Sequence, residues 1–194
     1  MDIVISDLTK SYGENLVINK FNGVIKYAER TFVMGPSGCG KSTLINILMG
    51  ITPYDDGNIQ GVPELKSVVF QEDRLCEAFN AVSNVKLVCS SKVKDEEIIF
   101  HIEQIGLKDD IKKPVIELSG GMRRRVVIVR AILADSEILF LDEPFKGLDN
   151  ITKKNVMSYI IENTKNKTTI IVTHDIEDVN ALGGQVMVMG ASSR

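Results

Sequence analysis

The chemistry of this chain concentrates first in Gly35-Pro36-Ser37-Gly38-Cys39-Gly40-Lys41-Ser42, a G-x-x-x-x-G-K-S pattern. Glycines at these spacings let consecutive backbone N–H groups curl around a polyphosphate. The Lys41 ammonium can reach the outer phosphates, and the Ser42 hydroxyl suits a hard cation such as Mg²⁺. Those groups need elements that aim them. Arg30-Thr31-Phe32-Val33-Met34 reads as an apolar strand entering the loop, and Thr43-Leu44-Ile45-Asn46-Ile47-Leu48-Met49 as an apolar helix leaving it. Strand, loop and helix in that order present a positive helix end to the anion. A glycine-rich turn matching by chance would lack both flanks. Cys39 sits inside the loop. Its thiol is expected to be dispensable beside the backbone N–H groups, although an alkyl group there would obstruct the phosphate.

Further groups with chemical potential follow in order. Gln71 ends the strand-like Ser67-Val68-Val69-Phe70. Leu118-Ser119-Gly120-Gly121-Met122 starts a helix. The apolar Ile138-Leu139-Phe140-Leu141 runs into the carboxylates Asp142 and Glu143. Gly147-Leu148-Asp149 comes next, and Thr168-Thr169-Ile170-Ile171-Val172 leads to Thr173-His174-Asp175. A carboxylate on Asp142 suits a hard cation. Glu143, one residue beyond the strand, is placed to orient or deprotonate a water.

This set resembles the ATP-binding cassette (ABC) ATPases, motif by motif: Walker A, Q-loop, LSGG signature, Walker B, D-loop and H-loop, from Gly35 to His174, with Tyr12 extending the match upstream. The resemblance implies ATP and Mg²⁺ as cofactors. It implies nucleotide contacts from Tyr12, stacked on adenine, and from the loop through Thr43. Ser42, Gln71 and Asp142 would serve the metal, with Lys41, Gln71, Glu143 as general base, and His174 on the γ-phosphate as the catalytic set. Ser119, Gly120 and Gly121 would face the nucleotide held by an opposite copy in a head-to-tail dimer, with Asp149 crossing the same interface. Arg123, Arg124 and Arg125 read mostly as a solvated helix face, with one available to neutralise phosphate.

Composition narrows the class. A net charge of −3 gives no basic field for nucleic acid or anionic lipid. With 44% hydrophobic and 25% charged residues over 194 positions, the chain is an ordinary globular one. No apolar stretch approaches a membrane span, and Met1–Asp7 lacks a signal-like core, so a cytosolic location is expected. The three cysteines form no CxxC pair; Cys76 and Cys89 read as small apolar fillers kept reduced.

Along the chain, residues 2–9 and 16–27 read as strands with a turn at 11–15, 53–57 as a loop, and 67–70 as a strand. Residues 80–88, 95–105, 122–134 and 152–164 read as helices, and 137–141, 168–172 and 185–189 as strands. The alternation predicts an α/β fold with a mostly parallel sheet. The resemblance sharpens it to one ABC ATPase domain over residues 1–194. That domain would be a RecA-like P-loop core with an N-terminal antiparallel β subdomain and a helical subdomain inserted at about 72–122. Gln71-Glu72-Asp73-Arg74-Leu75, Ser119-Gly120-Gly121-Met122-Arg123 and Asp142-Glu143-Pro144-Phe145 resemble the nitrate/sulfonate/taurine-type importer ATPases. Lys146 and Ala78-Phe79-Asn80 depart from that branch. The chain ends soon after Met189, without the C-terminal extension of many relatives: either this is a minimal subunit or its last helices are missing, and a weaker dimer is expected. The implied protein is the ATPase subunit of a transporter, peripheral on the inner membrane face. Its implied partners are a permease on a separate chain, a second copy of itself and a solute-binding protein, with no nucleic acid. A soluble ABC ATPase acting as a nucleotide-gated regulator, or on nucleic acid or the ribosome, is the alternative. The short segment between Gln71 and Ser119 leaves no room for a DNA-repair-type coiled coil.

Overall fold

The computed structural model describes residues 1–190; the last four of the expected domain lie outside them. Eight strands and six α-helices follow in the order β1 (Ile3–Tyr12), β2 (Asn15–Ile25), β3 (Arg30–Met34), α1 (Lys41–Leu48), β4 (Asp56–Gln60), β5 (Lys66–Val69), α2 (Ala81–Lys86), α3 (Asp95–Gln104), α4 (Gly120–Leu133), β6 (Ile138–Asp142), α5 (Asn150–Asn163), β7 (Thr168–Val172), α6 (Ile176–Leu182) and β8 (Gln185–Val188). Five strands pair in parallel in the order β5-β6-β7-β3-β8, and three pair antiparallel as β2-β1-β4. This is the RecA-like arrangement expected of the sequence.

The central parallel strands β6 and β7 are buried and largely apolar on both faces because both faces are covered. Along β6, Ile138 and Phe140 join a core shared with β1, β2 and α1, whereas Leu139 and Leu141 join a second core with α2 to α6. β7 divides likewise, Ile170 and Val172 to one side and Ile171 to the other. Each such fully buried side chain contributes roughly 1.5–3 kcal/mol. Register sets the ends level: Val33 pairs with Val172, and Asp142 pairs with Val172 from the other side.

Two elements depart from the sequence expectation. Residues 53–57 were expected as a loop, yet β4 begins at Asp56. Its Asp-Asp-Gly-Asn composition is that of a turn, and the edge of β1 recruits it through Ile5↔Ile59 and Thr9↔Asp56. Helix α6 carries too few residues to show periodicity; the Asp175 side chain caps it from Glu177 N–H. By contrast Ser119 caps α4 as expected, accepting from the Met122 N–H.

One polar contact joins α3 to α5: His101 Nδ1 lies 2.9 Å from the Tyr159 hydroxyl. Burial pushes the imidazole below its ordinary 6.5, opposed by the Glu97 charge, and burial raises the Tyr159 phenol. The unfolded chain therefore takes up the His101 proton first. Stability from this contact is complete above 6.5 and is lost as pH falls through the lower folded value. Thermal melts across this range should show wild type losing stability on acidification, while His101→Gln is flatter. Equal slopes would remove His101 as the cause.

Candidate functional site

The loop after β3 is shaped by backbone freedom. Gly38 and Gly40 sit at φ 79° and 96°. At Gly38 a Cβ would meet nothing within 4 Å, so the demand there is conformational and not steric. Gly40 starts α1 without a side-chain cap, and the first turn of α1 carries no acidic residue. The helix thus offers its N-terminal N–H groups and positive end to an anion. Lys41 Nζ donates to Gly35 O at 2.8 Å and Pro36 O at 2.9 Å, which keeps the ammonium over the loop. Cys39 is buried with its Sγ beneath that ammonium, at 4.0 Å.

Ser42 Oγ donates to Asp142 Oδ2 at 3.2 Å, joining the start of α1 to the end of β6. Burial holds the Asp142 carboxyl above its ordinary range; the Ser42 bond opposes this and the Glu143 charge adds to it. Among the described residues no lysine or arginine forms an ion pair with Asp142. A buried carboxylate beside a hydroxyl, with Gln71 lining the same cleft, is a donor set that fits a hard divalent cation.

Glu143 follows at φ 49°, a left-handed conformation that is costly for a residue with a Cβ. Its carboxylate oxygens lie 3.1 and 3.2 Å from His174 Nδ1. His174 is itself exposed, on a turn that its neighbours hold. Thr173 Oγ1 donates to Asp178 Oδ2 at 2.7 Å, and Lys153 Nζ reaches Asp175 Oδ2 at 2.6 Å and Asp178 Oδ1 at 2.5 Å. Val17, Ser37, Gly38, Gly40, Lys41, Ser42, Thr43, Gln71, Asp142, Glu143 and Val172 line one cleft at the carboxyl ends of β3, β6 and β7. A bound polyphosphate would find there a cation, N–H donors, a hydroxyl–carboxylate pair and the Glu143 carboxylate.

Other residues singled out in the sequence lie elsewhere. Ser119 and Gly120 are exposed at the open start of α4, and neither they nor Gly121 line the cleft. Tyr12 ends β1 half exposed, with Lys10 Nζ 5.4 Å from its ring centroid. Asp149 caps α5 through the Ile151 and Thr152 N–H groups.

The arginine run corrects the expectation of a solvated face. Arg124 is 4% exposed and bonded on every side, and Arg125 donates to the Ile105, Gly106 and Gly121 carbonyls. A triplet of arginines reads as solvated by composition. The helix turns each one 100° from the last, and the middle one points into the core. Cys76 is exposed and is not a core filler, whereas Cys89 is half-buried and donates toward the Val85 carbonyl. Lys153 and Asp178 gave no local signal, because their meeting depends on how α5 and α6 pack.

A family model described as ABC transporter matches residues 18–146. The chain belongs to the ABC transporter family. It is 34% identical to the taurine import ATP-binding protein TauB of Escherichia coli O157:H7, covering 95% of this chain and 78% of that protein. To TauB of Shigella dysenteriae serotype 1 it is 33% identical, with 96% and 79% covered. Among solved structures it resembles the dimeric bacterial ABC transporter cassette MJ0796, with TM-score 0.83 at 26% identity over 97% of this chain and 94% of that one. The same cassette in a post-hydrolysis state bound to ADP and Pi gives 0.84 at 25% identity, over 98% and 97%.

A Cβ at position 38 costs about 1–2 kcal/mol of backbone strain where the loop must wrap an anion. Gly38→Ala should therefore weaken nucleotide binding about tenfold, read by fluorescent-nucleotide titration. Unchanged affinity would show that the loop tolerates a side chain there.

Proposed function

We propose that this chain is the ATP-binding and ATP-hydrolysing subunit of an ABC importer, acting as two head-to-tail copies beneath a separate membrane permease. The observation that carries it is the convergence of Lys41, the Ser42–Asp142 pair and Glu143 on one cleft, with His174 against the Glu143 carboxylate. The TauB relatives support import as the direction and the sulfonate/taurine branch as the setting. No helix of the described residues is long and apolar enough to cross a membrane; in this reading the permease is a separate chain. Docking on it would hold the subunit at the cytoplasmic face. A solute-binding protein would complete such an importer and would choose the solute together with the permease.

In this reading the loop N–H groups and Lys41 hold the β- and γ-phosphates, and Tyr12 stacks on adenine. Ser42 and Asp142, with Gln71, would hold Mg²⁺, which supplies positive charge against the phosphate oxygens. Glu143 accepts a proton from the attacking water, and His174 steadies its carboxylate and faces the γ-phosphate. Ser119, Gly120 and Gly121 complete the site of the opposite copy with a capped helix start. Reopening after hydrolysis would move the permease through the segment after Gln71.

If Glu143 is the base, Glu143→Gln should cut Mg²⁺-dependent ATP turnover at least ~100-fold. The same variant, with ATP, should run as a dimer by size-exclusion chromatography with light scattering. Turnover by the variant near the wild-type rate would remove Glu143 from that role. A wild type inactive with and without a permease would remove the ATPase reading.

A further inference from the structure

We infer that Arg124 is a positioning residue for hydrolysis, its guanidinium fixing the backbone that aims Glu143 while tying it to the segment that carries Gln71. This rests on the ATPase reading above.

Every donor of the side chain is used. Nε donates to Pro144 O at 3.3 Å. Nη2 donates to Asp142 O at 2.6 Å and Glu143 O at 2.7 Å. Nη1 donates to Phe70 O at 2.5 Å and meets Asp73 Oδ1 at 3.3 Å. An arginine has five N–H groups in a planar fork, and here five acceptors meet them. Four are main-chain carbonyls: three on consecutive residues at the end of β6, one just past β5 immediately before Gln71.

The geometry at β6 requires this. Successive carbonyls of an extended strand point to opposite sides. At Glu143 the left-handed φ of 49° turns the chain so that the Asp142 and Glu143 carbonyls converge on one nitrogen. A residue with a Cβ stays there only where its surroundings hold it. Arg124 supplies the donors that do so, and Glu143 N–H, bonded to Val172 O at 3.0 Å, supplies a further tie. The carboxylate that faces His174 leaves from this same residue.

Arg124 also sits on α4, whose first residues are Gly120 and Gly121. A second arginine of that helix, Arg130, donates to the Arg74 and Asp73 carbonyls. The helix that Ser119 caps therefore holds the segment after Gln71 through two arginines and the end of β6 through one of them. A shift of α4 would move Glu143 and Gln71 together.

Arg124→Gln keeps two of the five donors, and Arg124→Lys keeps the charge without the fork. In both, ATP turnover per nucleotide-binding site should fall at least tenfold, with nucleotide affinity within about threefold of wild type, because the loop and Lys41 are untouched. Counting turnover per binding site removes any loss of folded protein, and Arg124→Lys carries the test if Arg124→Gln does not fold. Added to Glu143→Gln, Arg124→Gln should cause little further loss, since one acts through the other. Turnover restored fully by lysine, or losses that multiply in the double variant, would overturn the inference. A wild type without turnover in the same series would instead sink the ATPase reading.

Discussion

Three strand ends held at one level by a parallel ladder are the constraint on which the rest depends. Val33, Val172 and Asp142 lie in one row across β3, β7 and β6. The residues just beyond that row begin the glycine loop, the His174 turn and the Asp142–Glu143 step. A slip of one residue in any strand would send alternate side chains to the wrong face and part Ser42 from Asp142. Apolar burial on both faces prevents such a slip. The phosphate chemistry thus depends on Ile138, Phe140 and Ile170, none of which lines the cleft.

What the ladder sets up, the site then strains. Asp142 is a carboxylate kept in a poorly solvated place. Glu143 adopts a conformation that most residues avoid. Glycines in the loop hold dihedrals with little other use. Each costs stability locally, and each is the kind of local exception that functional sites carry. Compensation comes from outside the cleft: Arg124 beneath β6, and Lys153 between Asp175 and Asp178 behind His174.

Much of this was readable in the sequence because it is local. The strand–loop–helix around Lys41, the Ser119 cap and the carboxylates after an apolar strand all announce themselves within a few residues. Helices α2 to α5 were legible for the same reason. What escaped was settled across the fold. β4 owes its strand to the edge of β1. The buried fork of Arg124 depends on where β5 and β6 end beneath α4, and composition alone made its triplet look solvated. Lys153 and Asp178 meet only because α5 and α6 pack together. The exposure of Cys76 follows from the loop after Gln71, which periodicity does not describe.

The exposed start of α4, apart from the cleft that holds Lys41, makes the shared site the central claim. Mixing two inactive variants tests it most directly. Lys41→Ala disables one half of a shared site, and Ser119→Arg blocks the other. In a head-to-tail pair of one copy of each, one site combines both defects and the other combines two intact halves. Neither variant alone should hydrolyse ATP appreciably, and the mixture should regain roughly a quarter of wild-type turnover if pairing is random. A mixture as inactive as its parts, beside an active wild type, would show that each copy completes its own site.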